Sequence, residues 1–392
     1  MSKQKISIGN SVEKRAGGRA AAKKSEPPAV YFSDMRVRLG SSLALKLKRV
    51  MKAAGFESID FKEKFAAVKI HFGEPGNMAY LRPNWAKAVC DYIKKLGGKP
   101  FLTDCNTLYV GGRKNALDHL DSAYENGFNP FCTGVHCIIA DGLKGTEETL
   151  VPVEGGEYVK EAKIGSAIMS ADVVVSLSHF KGHECTGFGG ALKNLGMGCG
   201  SRAGKMEMHS AGKPIVDKNL CIGCGMCARI CAHGAPSIKG GKASIDKKKC
   251  VGCGRCIGVC PRDAVCPAFD EANDVLNRKI AEYTKAVIWG RPSFHINLVV
   301  DVSPFCDCHA ENDAPIVPDV GIFASFDPVA LDKACADAGN NSPALAGSLL
   351  DECEHCHGDH FADVSPSTNW RSCLEHAEKL GLGSMAYKLI KV

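Results

Sequence analysis

Asp172-Val173-Val174-Val175-Ser176-Leu177-Ser178-His179, running straight into Phe180-Lys181-Gly182-His183-Glu184-Cys185-Thr186-Gly187-Phe188-Gly189-Gly190-Ala191-Leu192-Lys193, decides the fold. Residues 172–178 are near-continuously apolar. That is the pattern of a parallel strand buried on both faces, where alternation disappears. Glycines and basic residues follow at once. In an open α/β sheet the carboxyl ends of the strands line the ligand crevice, so a polar loop here marks a site.

Outward from that strand, strand and helix alternate. Val30–Phe32, Ala66–Phe72, Phe101–Thr103 and Cys137–Ala140 read as strands. Between them, residues 41–54, Pro83–Leu96 and 113–125 read as helices, stopped at Gly55, Gly97 and Gly127. Residues 151–168 read as shorter strands. Later the pattern resumes with a helix over 277–288, strands His295–Val302 and Val320–Ser325, a helix from Pro328 to Ala338 and a last helix over 369–381. The expected fold class is α/β, a mostly parallel open sheet with an inserted two-cluster ferredoxin-like domain. The expected division is a flexible basic tail (1–28), a first α/β part (29–213), the insertion (214–267) and a second α/β part (268–392).

The insertion rests on cysteine spacing. Cys221, Cys224, Cys227 and Cys231 follow C-x2-C-x2-C-x3-C, and so do Cys250, Cys253, Cys256 and Cys260, with Pro261 after the last. In such runs the fourth cysteine ligates the other cluster. The expected ligand sets are therefore Cys221, Cys224, Cys227 and Cys260 on one [4Fe-4S], and Cys250, Cys253, Cys256 and Cys231 on the other. Zinc patterns leave a longer gap between cysteine pairs. The segment resembles a bacterial-type two-cluster ferredoxin.

Composition bounds the rest. At 392 residues and 45% hydrophobic content, the chain suits two or three domains. No eighteen-residue apolar run occurs, so no membrane span is expected, and no signal core is read at the start. Cytoplasmic residence follows as the expectation, in a reducing and anaerobic cell. Of 21 cysteines, eight belong to the two runs and thirteen remain. The net charge of +6 is uneven: +5 in residues 1–28, +6 in residues 214–267 and −5 elsewhere. With no aromatic interleaving, nucleic acid is not an expected partner.

Outside the cysteine runs, five groups carry chemistry. Gly187, Gly189 and Gly190 offer backbone N–H groups at a helix start, a natural anion site, with Lys181, His183 and Lys193 adding charge. That arrangement admits a phosphate-bearing cofactor such as FMN. Lys69, His71 and Glu74 follow one strand; Asp104, Asn106 and Tyr109 follow another. Lys181, Gly187, Gly189, Gly190, Lys193, Asp104 and Asn106 are cofactor-binding candidates. His183, Lys193, His71 and Lys69 are catalytic candidates, the histidines as proton carriers near neutral pH. Phe305-Cys306-Asp307-Cys308-His309 and Cys353-Glu354-His355-Cys356-His357 offer Cys306, Cys308, Cys353 and Cys356 to a third metal centre.

The blocks Ser178–Gly198, Cys306–His309 and Pro318–Asp332 together resemble the domain-of-unknown-function 362 family, over roughly residues 30–380. Many of its members carry a two-cluster ferredoxin segment, and the resemblance implies little about chemistry. The leading functional expectation is an iron-sulfur electron-transfer protein. Its two [4Fe-4S] clusters would exchange electrons with a flavin, metal centre or substrate in the α/β domain, and with a redox partner protein or small-molecule donor or acceptor. An oxidoreductase or oxidoreductase subunit is one form of it. The alternatives are a plain ferredoxin-type carrier with a partner-docking domain, and a metal or cluster maturation factor whose surplus Cys and His serve transfer.

Overall fold

The computed structural model describes residues 26–109, 111–209, 213–269, 271–353 and 357–392. Most of the expected basic tail, residues 1–25, lies outside the described residues.

Eight strands form the main sheet: β1 (Ala29–Asp34), β2 (Phe65–Lys69), β3 (Lys99–Asp104), β4 (Cys137–Ile139), β5 (Val173–His179), β6 (Ser293–Val299), β7 (Gly321–Ser325) and β8 (Lys388–Lys391). Their order is β8-β1-β7-β6-β5-β2-β3-β4. β4, β3, β2, β5 and β6 pair in parallel, as do β1 and β8. β7 runs antiparallel to both β1 and β6, so the sheet is mixed.

All seven residues of β5 are buried, as an interior strand flanked by β2 and β6 requires. Its side chains alternate between two cores, as the pleat dictates. Val173, Val175 and Leu177 join Leu47, Val50, Trp85 and Val89 of helices α1 (Leu43–Ala53) and α2 (Pro83–Lys95). Val174 faces the other layer, where Leu192, Ile280 and Leu331 come from α3 (Ala191–Cys199), α4 (Asn273–Ile288) and α5 (Pro328–Asn340). Each valine buried this way contributes about 1.5–3 kcal/mol. Ser42 caps α1 through Leu45 N at 3.3 Å, and Pro83 occupies the first turn of α2.

Three elements end earlier or start later than their sequence pattern suggests, each beside the cleft described below. β2 stops at Lys69 because the chain turns there, with Gly73 N–H donating to His71 Nδ1 at 3.0 Å. β6 stops at Val299, and Asp301 adopts φ 45°, a left-handed conformation that breaks the ladder. The helix expected from 113 begins at Ala116, capped by Asn115, because Arg113 is drawn away to Glu74 at 2.7 Å. β8 was not expected. It is a short edge strand flanked by two lysines, a composition that guards an edge against further pairing.

Residues 214–267 leave and re-enter at one place: Pro214–Val216 pairs antiparallel with Val265–Pro267. Cys221, Cys227, Cys256 and Val265 pack with Leu108 and Met206, so this segment lies against the rim of the main sheet. No described helix is long and apolar enough to cross a membrane.

His295 of β6 is fully buried, and burial holds its imidazole neutral, with the pKa lowered to about 3. A folded-state pKa below the unfolded value means the unfolded chain binds the extra proton. Stability is then lost as pH falls below about 6.5, by about 1–2 kcal/mol between pH 6.5 and 5 from this residue. His295→Gln is expected to flatten that part of the stability–pH curve, read from denaturation midpoints at pH 7, 6 and 5. Parallel curves for the two chains would sink the assignment.

Candidate metal-binding cleft

The parallel strands β2, β3, β5 and β6 all point their carboxyl ends at one cavity of about 590 Å3 measured to its open mouth. Lys69 and His71 follow β2; Asp104, Tyr109 and Arg113 follow β3; Lys181 follows β5; Cys306 and Cys308 follow β6. A strand end frees the chain from its ladder while holding it in register, so side chains distant in sequence converge.

Beside it, with Cys306 and Cys308 shared with its wall, donor atoms form three overlapping sets, each within 4.8 Å: His183 with Cys306 and Cys308, His183 with Glu184 and Cys185, and Glu184 with Cys308 and His309. The first is buried. The third reaches the surface, where the Glu184 and His309 side chains are 39% and 45% exposed. Glu184 Oε1 links the two levels, 3.0 Å from His309 Nε2 and 3.7 Å from His183 Nε2. Tyr109 stacks on His309, with ring centroids 6.3 Å apart.

The loop carrying His183 is a glycine-rich hairpin, Lys181–His183 against Gly187–Gly189. Gly182 is required there, because a Cβ would sit 2.6 Å from the Pro304 carbonyl oxygen. His183 Nδ1 accepts from Cys185 N at 3.0 Å. Burial, then the Lys193 charge, lower its pKa, so the ring is neutral and available as a nitrogen donor.

Burial alone would push the Cys306 thiol up. The hydrogen bond with Cys308 and the Lys181 and Lys193 ammoniums outweigh it and hold Cys306 well below the ordinary thiol range. Lys193 Nζ lies 3.7 Å from its sulfur, and Cys308 N donates to the same atom at 3.4 Å. Cys308 moves the opposite way, raised by its hydrogen bond with Cys306 and by burial.

Other candidate residues are structural partners in the cleft wall. Lys69 Nζ meets Asp104 at 3.1 Å and Asn194 Oδ1 at 2.8 Å, all but fully buried. Asn106 donates to Asp141 at 2.8 Å. His71 is held neutral, its pKa lowered to about 3 by burial and then by Arg113, so it takes up no second proton near neutral pH. The helix start after Gly190 is filled by the protein itself: Ala191 N and Leu192 N donate to the Asp332 carboxylate at 2.7 and 2.9 Å. Lys205 and Asp307 also line the cavity, and sequence reasoning did not single them out. Asp307 faces His179 at 2.9 Å. The Cys-x-Cys-His spacing was the available signal for His309; Lys205 had none.

Cys221, Cys224, Cys227 and Cys260 line one small cavity, and Cys231, Cys250, Cys253 and Cys256 line another. None of these eight belongs to the converging donor sets of the described residues, and neither does Cys353. Cys356 lies outside the described residues.

These donors correct the leading expectation. The converging sets mix imidazole, thiolate and carboxylate, the chemistry of single transition-metal ions, and none is the four-thiolate set of a cubane. Two [4Fe-4S] clusters as cofactors therefore give way to mixed-donor metal binding. The iron-sulfur, ferredoxin, electron-transport and oxidoreductase descriptions give way with them. FMN goes too: at the helix start expected to serve its phosphate, Ala191 N and Leu192 N already hold the Asp332 carboxylate.

Among curated proteins no relative matches the chain. Two solved structures are similar: the lactate racemase apoprotein from Thermoanaerobacterium thermosaccharolyticum and a protein from Thermotoga maritima. The first shares 10% identity over 70% of this chain and 51% of its own, with a TM-score of 0.35. The second shares 13% over 76% and 58%, with a TM-score of 0.36. The chain thus spans little more than half the length of either. The profile described as "Domain of unknown function (DUF362)" matches residues 66–337, which take in the central strands of the sheet and every donor of the cleft, and the chain belongs to that family.

Proposed function

We propose that this chain handles a transition-metal ion as cargo, in a maturation or delivery role. The ion is taken at the mouth by Glu184, His309 and Cys308 and passed inward to His183, Cys306 and Cys308. One observation carries the reading: the donor sets overlap, sharing Cys308, Glu184 and His183. A structural site closes four ligands round its ion. Overlapping triads leave positions open and let one ligand be exchanged at a time.

Residues 214–267 are proposed as an inserted unit of ferredoxin-like spacing between α/β parts 29–213 and 268–392. The pairing of its two ends supports this. Its eight cysteines are proposed as further thiophilic ligands facing a recipient protein, in the reducing cytoplasm.

The test is kinetic. The reduced chain is loaded with one equivalent of Co2+, and transfer to a colorimetric chelator is followed. The Cys306→Ser/Cys308→Ser chain is subtracted so that ions on other thiols cancel. Glu184→Gln is expected to slow loading and transfer about 10-fold, in line with losing a supporting ligand, while the final count stays the same. Retention of the ion against excess chelator, or unchanged rates in Glu184→Gln, would refute a cargo role.

A further inference from the structure

The same cavity has more positive charge than its own acids meet. Lys69 is paired with Asp104, Arg113 with Glu74 and His179 with Asp307. Among the described residues no carboxylate lies within ion-pair distance of Lys181, Lys193 or Lys205. Lys205 Nζ reaches only the carbonyls of Gly198 and Gly200, at 3.4 and 2.7 Å. Lys193 reaches the Cys306 sulfur. Lys181 and Lys205 are 4% and 7% exposed, and buried charge is costly without a partner. Arg113, 1% exposed and lining the cavity, keeps its Nη2 without a hydrogen-bond partner among the described residues.

Two of these side chains meet over one glycine. A Cβ at Gly189 would lie 3.2 Å from Lys181 Nζ and 3.5 Å from Lys193 Cδ. Asp307 and Glu184 act on Lys181, and Asp104 and Asp141 on Lys205, only from beyond ion-pair distance, Lys193 meets no carboxylate among the described residues, and a divalent ion on the sulfurs would add to the positive charge. The missing charge is a ligand's.

We infer that the cleft binds a small phosphate-bearing anion on Lys181, Lys193, Lys205 and Arg113 Nη2, beside the thiolate pair. The donors are separate points around a cavity. The one guanidinium already gives its Nε to Glu74 and its Nη1 to His71. Planar carboxylates are best met by a free guanidinium fork, whereas ammoniums at several angles suit an oxyanion with oxygens in several directions. The inference goes beyond the metal reading and stands on charge and burial alone.

The probe is pyrophosphate, titrated calorimetrically into the full reduced chain without added metal and again with one equivalent of Co2+. Wild type is expected to bind, with affinity falling as salt rises. Lys193→Gln is expected to weaken binding about 10-fold or more, and Lys193→Arg to restore most of it. Lys193 is half-buried at the cavity wall and glutamine keeps most of its length, so this variant removes the charge without opening a large void. Lys205→Gln, at a side chain whose ammonium reaches the Gly198 and Gly200 carbonyls and none of the metal donors, is expected to weaken pyrophosphate binding while Co2+ binding stays unchanged, which keeps the anion result separate from the metal result. No binding by wild type, or equal binding by Lys193→Gln, overturns the inference. Succinate binding as tightly as pyrophosphate overturns the phosphate assignment.

Discussion

A chain carrying Cys306→Ser and Cys308→Ser is expected to bind one transition-metal ion fewer than the wild type. Both sulfurs lie on the loop after β6, which is tied down by Gly182 N donating to the Ser303 carbonyl at 2.8 Å, Glu74 N donating to the Asp307 carbonyl at 2.9 Å and the Asp307 carboxylate facing His179 at 2.9 Å. Their positions therefore do not depend on a metal to hold them. Serine keeps the volume, and its neutral oxygen is a poor ligand for a borderline ion that thiolate binds well. The measurement is a Co2+ titration under reducing, anaerobic conditions, with the thiolate-to-cobalt absorption taken as a difference between the two chains. The lost equivalent should show mixed nitrogen and sulfur ligation. His183→Ala should keep the thiolate band but weaken the site by at least the 10- to 100-fold typical of losing a supporting group. Equal counts in wild type and the double variant would remove the central claim.

What was legible in the sequence was what local pattern decides. The run from Val173 to Leu177 reads as a buried strand because every side chain is apolar or small, and in the fold every one is buried. Pro83 and Pro328 mark helix starts because a proline suits the first turn, where its missing N–H is not needed. Tertiary contacts decided the rest. The hairpin at Lys181–Gly189 has no strand-forming composition and exists because Gly182 packs against Pro304. β8 reads as a charged tail until β1 gives it a ladder. The site divides the same way. His183, Cys306, Cys308, Lys181 and Lys193 could be nominated from their places after strands, but nothing local says that His183 meets a sulfur more than a hundred positions away. The doublings of cysteine in residues 221–260 are the loudest local signal in the chain, yet the mixed donors gather on the loops after the interior strands β5 and β6 instead. His71 reads as a proton carrier by residue type, while desolvation and the neighbouring Arg113 charge lower its pKa, which no local pattern announces.

Asp332 controls the helix that carries Lys193 and Asn194, and its loss is expected to be the most damaging single truncation near the cleft. It lies on α5, fully buried. Its two oxygens accept from Ala191 N at 2.7 Å, Leu192 N at 2.9 Å and Asn297 Nδ2 at 2.7 Å. Gly190 fits beneath it only because it has no side chain, since a Cβ there would collide with the carboxylate. The first two donors are otherwise unmet N–H groups of the α3 start, a polarity that favours an acid. Asp332→Ala leaves three buried donors without acceptors. Each costs about 1–3 kcal/mol, so the loss should be about 3–5 kcal/mol after partial relaxation. The denaturant midpoint should fall accordingly. Asp332→Asn, which keeps one acceptor oxygen, should lose less than the alanine variant. The effect should also reach function. With its first turn released, α3 no longer fixes Lys193 against the Cys306 sulfur, so pyrophosphate and cobalt binding should both weaken in the folded fraction. A midpoint within about 1 kcal/mol of wild type for Asp332→Ala would mean that water replaces the carboxylate at little cost. The glycine loop would then owe its shape to the contact of Gly182 with Pro304 alone.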